Sequence, residues 1–189
     1  NPTAIPLAFT VLLALLSITI SQKSYNFKNS FALGLYFGIG HFSTGLYWIT
    51  NALSATTAVS LNYSHCTIPA IFFISTICGL YIGFTTASTY SLSLYLKEKY
   101  RFNKNQSRLC TSLCFTVFWF VNETWRVQTI IPFPWLILGQ ASQYSIHLMQ
   151  VAAICPISVL GLIILCISLT LYVRNFHYTC IIAFSIVSI

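Results

Sequence analysis

Acidic side chains are nearly absent from this chain, which has two glutamates and no aspartate among its 189 residues. Charged residues of either sign make up 6% of the sequence, whereas a soluble domain carries about 25%. Hydrophobic residues account for 57%, and the mean hydropathy is +0.78. A chain of this composition cannot cover its surface with polar groups, so it is predicted to be an all-α polytopic membrane protein.

Several motifs of enzyme chemistry are also missing. The sequence has no Ser-His-Asp set, no glycine-rich phosphate loop and no His-Glu-x-x-His motif. The seven cysteines form no Cys-x-x-Cys pair and lie mostly in apolar runs, which favours a packing role. The four histidines are scattered, and for His41, in the middle of an apolar run, packing with a hydrogen bond is favoured over a functional site. We therefore expect no catalytic set, metal or cofactor in these residues.

Apolar runs long enough to cross a bilayer recur along the chain, since a helical span needs about 20 residues. The predicted spans are 4–20, 31–53, 67–95, 109–122, 147–172 and 177–189. The fourth is short unless its helix continues into "NETW". The chain begins at Asn1 and stops within an apolar run, so we expect a transmembrane domain of five to six helices, incomplete at both ends. Gly-x-x-x-Gly pairs in the second and third spans favour close packing within the bundle over homodimerisation.

The basic residues alternate between the loops. Eight of the nine lie in loops 21–30 and 96–108 and just before the last span, while loops 54–66 and 123–146 contain one, Arg126. Cytoplasmic loops carry the excess of lysine and arginine. The two nearly uncharged loops are therefore predicted to be extracytoplasmic. The net charge of +7 is thus explained by orientation, and no nucleic-acid partner is implied.

The stretch from Glu123 to Gln140 concentrates unusual residues. Glu123 and Arg126 are three residues apart, so they share a helix face, either as a structural ion pair or as a grip on a polar headgroup. Pro132 and Pro134 then break the helix. Trp135 and, at the end of the second span, Trp48 lie near the predicted interface, where tryptophan is favoured. The sequence predicts an extracytoplasmic interfacial segment here.

The same residues resemble the membrane-domain signature of apolipoprotein N-acyltransferases, in which E-W-L-R precedes G-F-P-W-x-x-x-G-Y. The matching positions are Glu123, Arg126, Phe133, Pro134, Trp135 and Gly139. "GLYFGIGHFSTGLYWITNAL", "HLMQVAA" and "NPTAIPLAF" are similar to flanking segments of the family in the same order. The chain departs from the pattern at Thr124, Trp125, Pro132, Gln140 and Pro156–Val159.

The resemblance implies a multi-pass enzyme of the bacterial inner membrane that transfers an acyl chain from a phospholipid to the N-terminal diacylglyceryl-cysteine of an apolipoprotein. It implies that the catalytic Glu, Lys and Cys belong to a nitrilase-like domain outside these residues, so the chain by itself is expected to be inactive. Trp135, Phe133, Pro134 and Trp48 become candidates for an acyl entry. Glu123 and Arg126 would hold its geometry. A non-enzymatic transporter or scaffold is the alternative, and no particular oligomer is implied.

Overall fold

Helices make up the regular structure of the described part of the chain. The computed structural model describes residues 26–50, 64–128, 133–144 and 146–173. The elements are α1 (Phe27–Gly45), α2 (Ser64–Tyr100), α3 (Lys104–Gln128), a 3₁₀ helix (Leu138–Tyr144), α4 (Ile146–Val151) and α5 (Ile157–Val173). No strand occurs in these ranges, which confirms the predicted all-helical class. The predicted spans 4–20 and 177–189, and most of loop 54–66, lie outside the described residues.

Helix bounds differ from the predicted spans in two informative ways. The helix α3, which contains the fourth predicted span, continues through Glu123 and Arg126 to Gln128, so both charged side chains project from regular helix. The region 147–172 contains two helices, α4 and α5, separated at residues 152–156. Pro156 lies just before α5, where its missing N–H breaks no hydrogen bond of the new helix. The extents of the membrane spans themselves remain predictions.

Glycines bring α1 and α2 together as an antiparallel pair. A Cβ placed on Gly38 would lie 2.6 Å from the Cα of Gly79, and one on Gly34 would lie 2.6 Å from the carbonyl oxygen of Ile82. Near this crossing the Thr86 hydroxyl donates to the Ser30 carbonyl across the two helices, at 2.7 Å. Backbones this close require residues without side chains, which explains the Gly-x-x-x-Gly pattern by packing within the bundle.

A short turn joins α2 to α3 as a second antiparallel pair. Arg101 turns the chain with a φ of 49°, in the left-handed region. Asn103 then caps α3: its side chain accepts from the Gln106 backbone N–H at 2.9 Å, and its own N–H donates to the Gln106 side chain at 3.0 Å. This reciprocal capping satisfies donors that the helix start would leave unpaired. Further along, Asn122 donates to the Thr85 hydroxyl at 2.6 Å, which ties the two helices together.

One described stretch, Cys66–Tyr100, is long and apolar enough by length and composition to cross a bilayer, with a hydropathy of 1.8. A shorter apolar stretch follows at Ile157–Leu169. The buried core between the helices includes Phe42 and Leu46 from the α1 region, Phe115 and Trp119 from α3, and Leu165 from α5. The C-terminal half of α3 thus lies between α2 and α5, and this position places Glu123 and Arg126 inside the bundle.

Candidate functional site

The segment 133–140 folds back onto the C-terminal end of α3, where Arg126 holds it. One guanidinium nitrogen of Arg126, Nη1, donates to the carbonyl oxygens of Phe133 at 2.8 Å and Trp135 at 2.9 Å. The other, Nη2, lies 3.5 Å from the Leu136 carbonyl. The guanidinium also lies over the Phe42 ring, 5.1 Å from its centroid. Arg126 is 4% exposed, so this buried cation is balanced by backbone dipoles and an aromatic face.

Glu123 holds the other half of the segment. Its Oε1 accepts from the Leu138 backbone N–H at 2.6 Å, at the start of the 3₁₀ helix. The carboxylate is 7% exposed and lies near α5, with Oε2 3.4 Å from the position that a Cβ on Gly161 would take. A buried carboxylate at a helix start supplies an acceptor for an otherwise unpaired N–H. The two charges of α3 therefore bind successive stretches of the same backbone.

Tight packing fixes the segment between these contacts. Leu136 adopts a φ of 57°, a left-handed conformation that is uncommon for a residue with a side chain. Its side chain lies against Gly45 of α1, where a Cβ would overlap both methyl groups. Gly139 lies against the Ile157 carbonyl at the start of α5, and a Cβ there would overlap the oxygen. Gly139 is required by its close approach to backbone, whereas at Gly45 the Leu136 side chain could move aside for a small residue.

Three aromatic side chains meet on the outer surface of this turn. Trp135 contacts Trp48, with ring centroids 5.3 Å apart, and Phe133, with centroids 5.4 Å apart, both edge to face. Trp48 and Trp135 are 50% and 45% exposed. Pro134 is exposed beside them, and its carbonyl accepts from the Gln140 side chain at 3.2 Å. We call Trp48, Phe133 and Trp135 the aromatic cluster. The structure brings together the four residues predicted as acyl-entry candidates.

Beside Glu123 and Arg126, between α1, α2 and α3, lies a cavity of about 20 Å³, enough for one water molecule. Polar groups of Tyr81, Asn122, Glu123 and Arg126 line it together with Phe42. Among the described residues no three His, Cys, Asp or Glu side chains are grouped to hold a metal ion. The arrangement positions backbone and aromatic rings.

Comparison with known proteins decides the family. Residues 1–170 match the family model of the apolipoprotein N-acyltransferase N-terminal domain. The chain belongs to this family. The match confirms the resemblance carried by Glu123, Arg126 and the Phe-Pro-Trp motif, because those residues lie within the matched range.

The curated apolipoprotein N-acyltransferases of Rickettsia typhi and Rickettsia prowazekii are each 30% identical to the chain over 158 residues, which is 81% of this chain and 28% of each relative. The enzyme of Rickettsia bellii is 28% identical over 152 residues, or 80% of this chain and 27% of the relative. The chain thus spans little more than a quarter of the length of these relatives. No solved structure matches it.

Several contacts of this N-terminal domain could not be found from the sequence. Glu123 and Arg126 were expected to pair with each other or to grip a headgroup, and the structure adds hydrogen bonds from each side chain to the backbone of the returning segment. Nothing in the sequence around Leu136 and Leu138 indicates the left-handed conformation of Leu136 or the contact of Leu138 with Glu123. Gly45 was noted only as one of several glycines, although it makes room for Leu136.

Proposed function

We propose that this chain is the membrane domain of a phospholipid-dependent apolipoprotein N-acyltransferase, and that the aromatic cluster lines the entry through which an acyl chain leaves the lipid. The observation that carries the proposal is the anchoring of Phe133 and Trp135 by Arg126. A buried arginine that bonds to the carbonyls of both Phe133 and Trp135 fixes the backbone from which both aromatic side chains project. A tryptophan that served only as an interfacial anchor would not need its backbone held in this way.

The exposed surface of the helices supports a membrane location. In the most apolar window of Cys66–Tyr100 only 39% of the residues are buried, whereas a core helix of a soluble protein is mostly buried. Phe72, Phe73 and Phe84 of α2 point outward, while Ser75, Thr86 and Thr89 are buried. Exposed apolar residues also follow one another every four positions along α3: Leu109, Leu113, Val117, Val121 and Trp125. Small or polar residues inside and large apolar residues outside suit a bundle in lipid.

The position of the charges supports the proposed orientation. Because α1 and α2 are antiparallel, Lys28 at the start of α1 lies toward the α2 end that carries Lys97 and Lys99. Glu123 and the aromatic cluster lie at the other end. We propose that the whole chain, 1–189, forms one domain of five to six spans in the bacterial inner membrane, with loops 54–66 and 123–146 extracytoplasmic, as the positive-inside rule requires.

The residues at the site indicate which steps of the proposed reaction belong to this chain and which belong to another domain. The aromatic cluster offers apolar surface to an acyl chain from a membrane phospholipid, and Glu123 and Arg126 keep that surface in place. The nucleophile and the proton-transferring groups are proposed to belong to the nitrilase-like domain that the family resemblance implies, which would pass the acyl group to the apolipoprotein through a cysteine thioester. The chain by itself is then expected not to transfer an acyl group.

A tryptophan replacement tests the entry role in a full-length enzyme that contains this chain. Trp135→Ala is expected to reduce acyl transfer from phospholipid to apolipoprotein by about 100-fold, because a small misplacement of a reacting chain costs about that much. Thermal stability in detergent should change little, since the side chain is half exposed. Transfer is measured with labelled phospholipid at matched enzyme concentration.

Trp125→Ala is the matched control. Trp125 lies on the same end of α3 and is 65% exposed, but it belongs to the outward apolar stripe. It should keep nearly normal transfer. Equal loss in both variants, or normal transfer in Trp135→Ala, would assign Trp135 an anchoring role only. The absence of any acyl transfer by the unmodified enzyme would instead favour a non-enzymatic membrane protein.

A further inference from the structure

The opposite end of the bundle carries a cluster of basic and aromatic side chains that the acyl-entry role does not use. It comprises Tyr95, Lys97, Lys99, Tyr100, Arg101, Phe102, Lys104 and Arg108, and we call it the basic tip. Five of the nine basic residues of the chain lie in it, with one acidic residue, Glu98, among them. Lys104 and Glu123 are 19 positions apart on α3. At 1.5 Å per residue the basic tip is therefore about 28 Å from the acyl-entry site, close to the thickness of a bilayer core.

A short turn places the basic end of α2 next to the basic start of α3. The connection is three residues long, with Arg101 in the left-handed conformation and reciprocal capping between Asn103 and Gln106. The basic residues of both helix ends therefore lie at the same end of the helix pair.

Helix stability explains only part of this charge. Lys97 and Lys99 lie in the last turn of α2, where the helix dipole favours cations. Lys104 lies in the first turn of α3, where the dipole disfavours a cation, and Arg108 follows one turn later. A first turn would be more stable with acidic residues, and it has none. Orientation in the membrane accounts for the excess of basic residues on this side, and an anionic partner outside the helix would compensate the unfavourable charge of Lys104 at the helix start.

The aromatic residues indicate that this partner is a membrane surface. Tyr95 and Tyr100 are each 57% exposed, and the Lys99 ammonium lies 5.6 Å and 5.5 Å from their ring centroids. Phe102 stacks on Tyr100, with centroids 5.7 Å apart. Exposed aromatics at the end of a long apolar helix match the headgroup level of a bilayer, where such rings are favoured. Basic clusters next to a spanning helix bind the phosphates of anionic lipids.

We propose that the basic tip is a binding site for anionic phospholipid headgroups, which it recognises through their phosphate groups. It rests on the membrane placement proposed above, but not on the acyl-transfer activity. Lys97 and Lys104 are the principal charges, one from each helix of the pair. Lys99, held between two tyrosines, presents its ammonium at the level of the rings.

Lipid binding to the full chain in an uncharged detergent tests the proposal. Native mass spectrometry would follow titration with phosphatidylglycerol or with phosphatidylcholine. The unmodified chain is expected to bind phosphatidylglycerol at least tenfold more tightly. Each lysine near an anionic surface contributes about fivefold, so the double variant Lys97→Gln and Lys104→Gln should bind it about 25-fold more weakly. The Lys→Arg double variant should bind as the unmodified chain does.

The matched control removes the same charge elsewhere. Lys23→Gln with Lys28→Gln takes two lysines from the sequence before α1 and from its first turn, and is expected to retain the preference. Equal weakening in both double variants would show a response to net charge and would overturn the site.

Two competitors test the identity of the ligand. Competition by millimolar inorganic phosphate would indicate a free-anion site, and tighter binding of a short oligonucleotide would indicate a nucleic-acid site. Either result overturns the lipid assignment. Far-UV circular dichroism checks that each variant is folded, and the Lys→Arg variant keeps the test valid if the glutamine variant is not. Acyl transfer by a full-length enzyme is read separately, so the failure of one proposal leaves the other standing.

Discussion

At the scale of single residues, Glu123 and Arg126 show how a bundle can bury charge. Each side chain satisfies backbone groups of a segment that has left its helix. Arg126 takes two well-placed carbonyls and Glu123 takes one N–H. Backbone groups without partners in an apolar environment each cost several kcal/mol. Glu123 and Arg126 therefore supply hydrogen-bond partners within the protein to backbone groups of the returning segment.

A comparison of two substitutions at Glu123 tests this role. Glu123→Gln keeps an oxygen acceptor for the Leu138 N–H, whereas Glu123→Ala leaves this buried donor without one. An unpaired buried donor costs about 1–3 kcal/mol, so the alanine variant should lose that much more stability than the glutamine variant. Thermal unfolding of the purified chain in detergent measures the difference. If the two variants unfold alike, the Leu138 contact contributes nothing and the carboxylate acts through its charge alone.

At the scale of elements, the crossing of α1 and α2 depends on one face of α1. Gly38 lies at the contact with Gly79, while Gly40, two residues on, has no atom within 4 Å of the position that a Cβ would take. The two glycines share a helix and a backbone conformation but differ in what surrounds them. Substitutions at Gly38 and Gly40 can therefore separate the effect of helix–helix packing on stability from the effect of helix propensity.

Alanine substitution at these two positions should therefore have opposite effects. Gly38→Ala forces the helices apart and is expected to cost about 1–3 kcal/mol, as overpacking does. Gly40→Ala should be neutral or stabilise by up to about 1 kcal/mol, because alanine favours the helix and the methyl group enters open space. Unfolding in detergent distinguishes them. A Gly38→Ala variant as stable as Gly40→Ala would show that the close crossing is not needed.

Some of the helices could be predicted from the sequence, but their ends and contacts could be predicted only in part. Apolar runs located α1, α2 and α3, because composition and length are local properties. The extension of α3 to Gln128 depends on the partners that Glu123 and Arg126 find in the folded chain, so the run 109–122 stopped short of it. Pro156 is a local indication of the break between α4 and α5. The residues around it are apolar, however, so the region 147–172 was predicted as a single span. Contacts such as Leu136 with Gly45 join distant parts of the chain and had no local signal.

The residues of the candidate site could be predicted from the sequence, but their arrangement could not. The candidate residues Trp48, Phe133, Pro134 and Trp135 could be named from the family motif and from the position of tryptophan near an interface. Their meeting in space could not, because it depends on the returning segment and on the crossing of α1 over α2. What the structure adds is the reason that two rare charges precede the proline break. They hold the backbone that follows it.

At the scale of the whole molecule, the two ends of the bundle differ in charge. Lys28 and the basic tip lie toward one end, whereas Arg126, the single basic residue of its predicted loop, is buried against carbonyls at the other. Because Arg126 is buried and bonded to backbone carbonyls, its charge contributes little to the difference in positive charge between loops that orients the chain in the membrane. The asymmetry is therefore stronger than a count of eight basic residues against one suggests.

Single cysteines test this orientation in intact cells. In a background in which all seven native cysteines are replaced, Asn105→Cys is expected to be protected from a membrane-impermeant thiol reagent, and Asn62→Cys is expected to be labelled. Asn105 is exposed in the first turn of α3 and takes no part in the capping by Asn103, so the change should leave the turn intact. Permeabilised cells supply the control, because both positions should then react. Labelling of residue 105 but not of residue 62 in intact cells would reverse the orientation: the aromatic cluster would face the cytoplasm, and the acyl-entry proposal would fail with it.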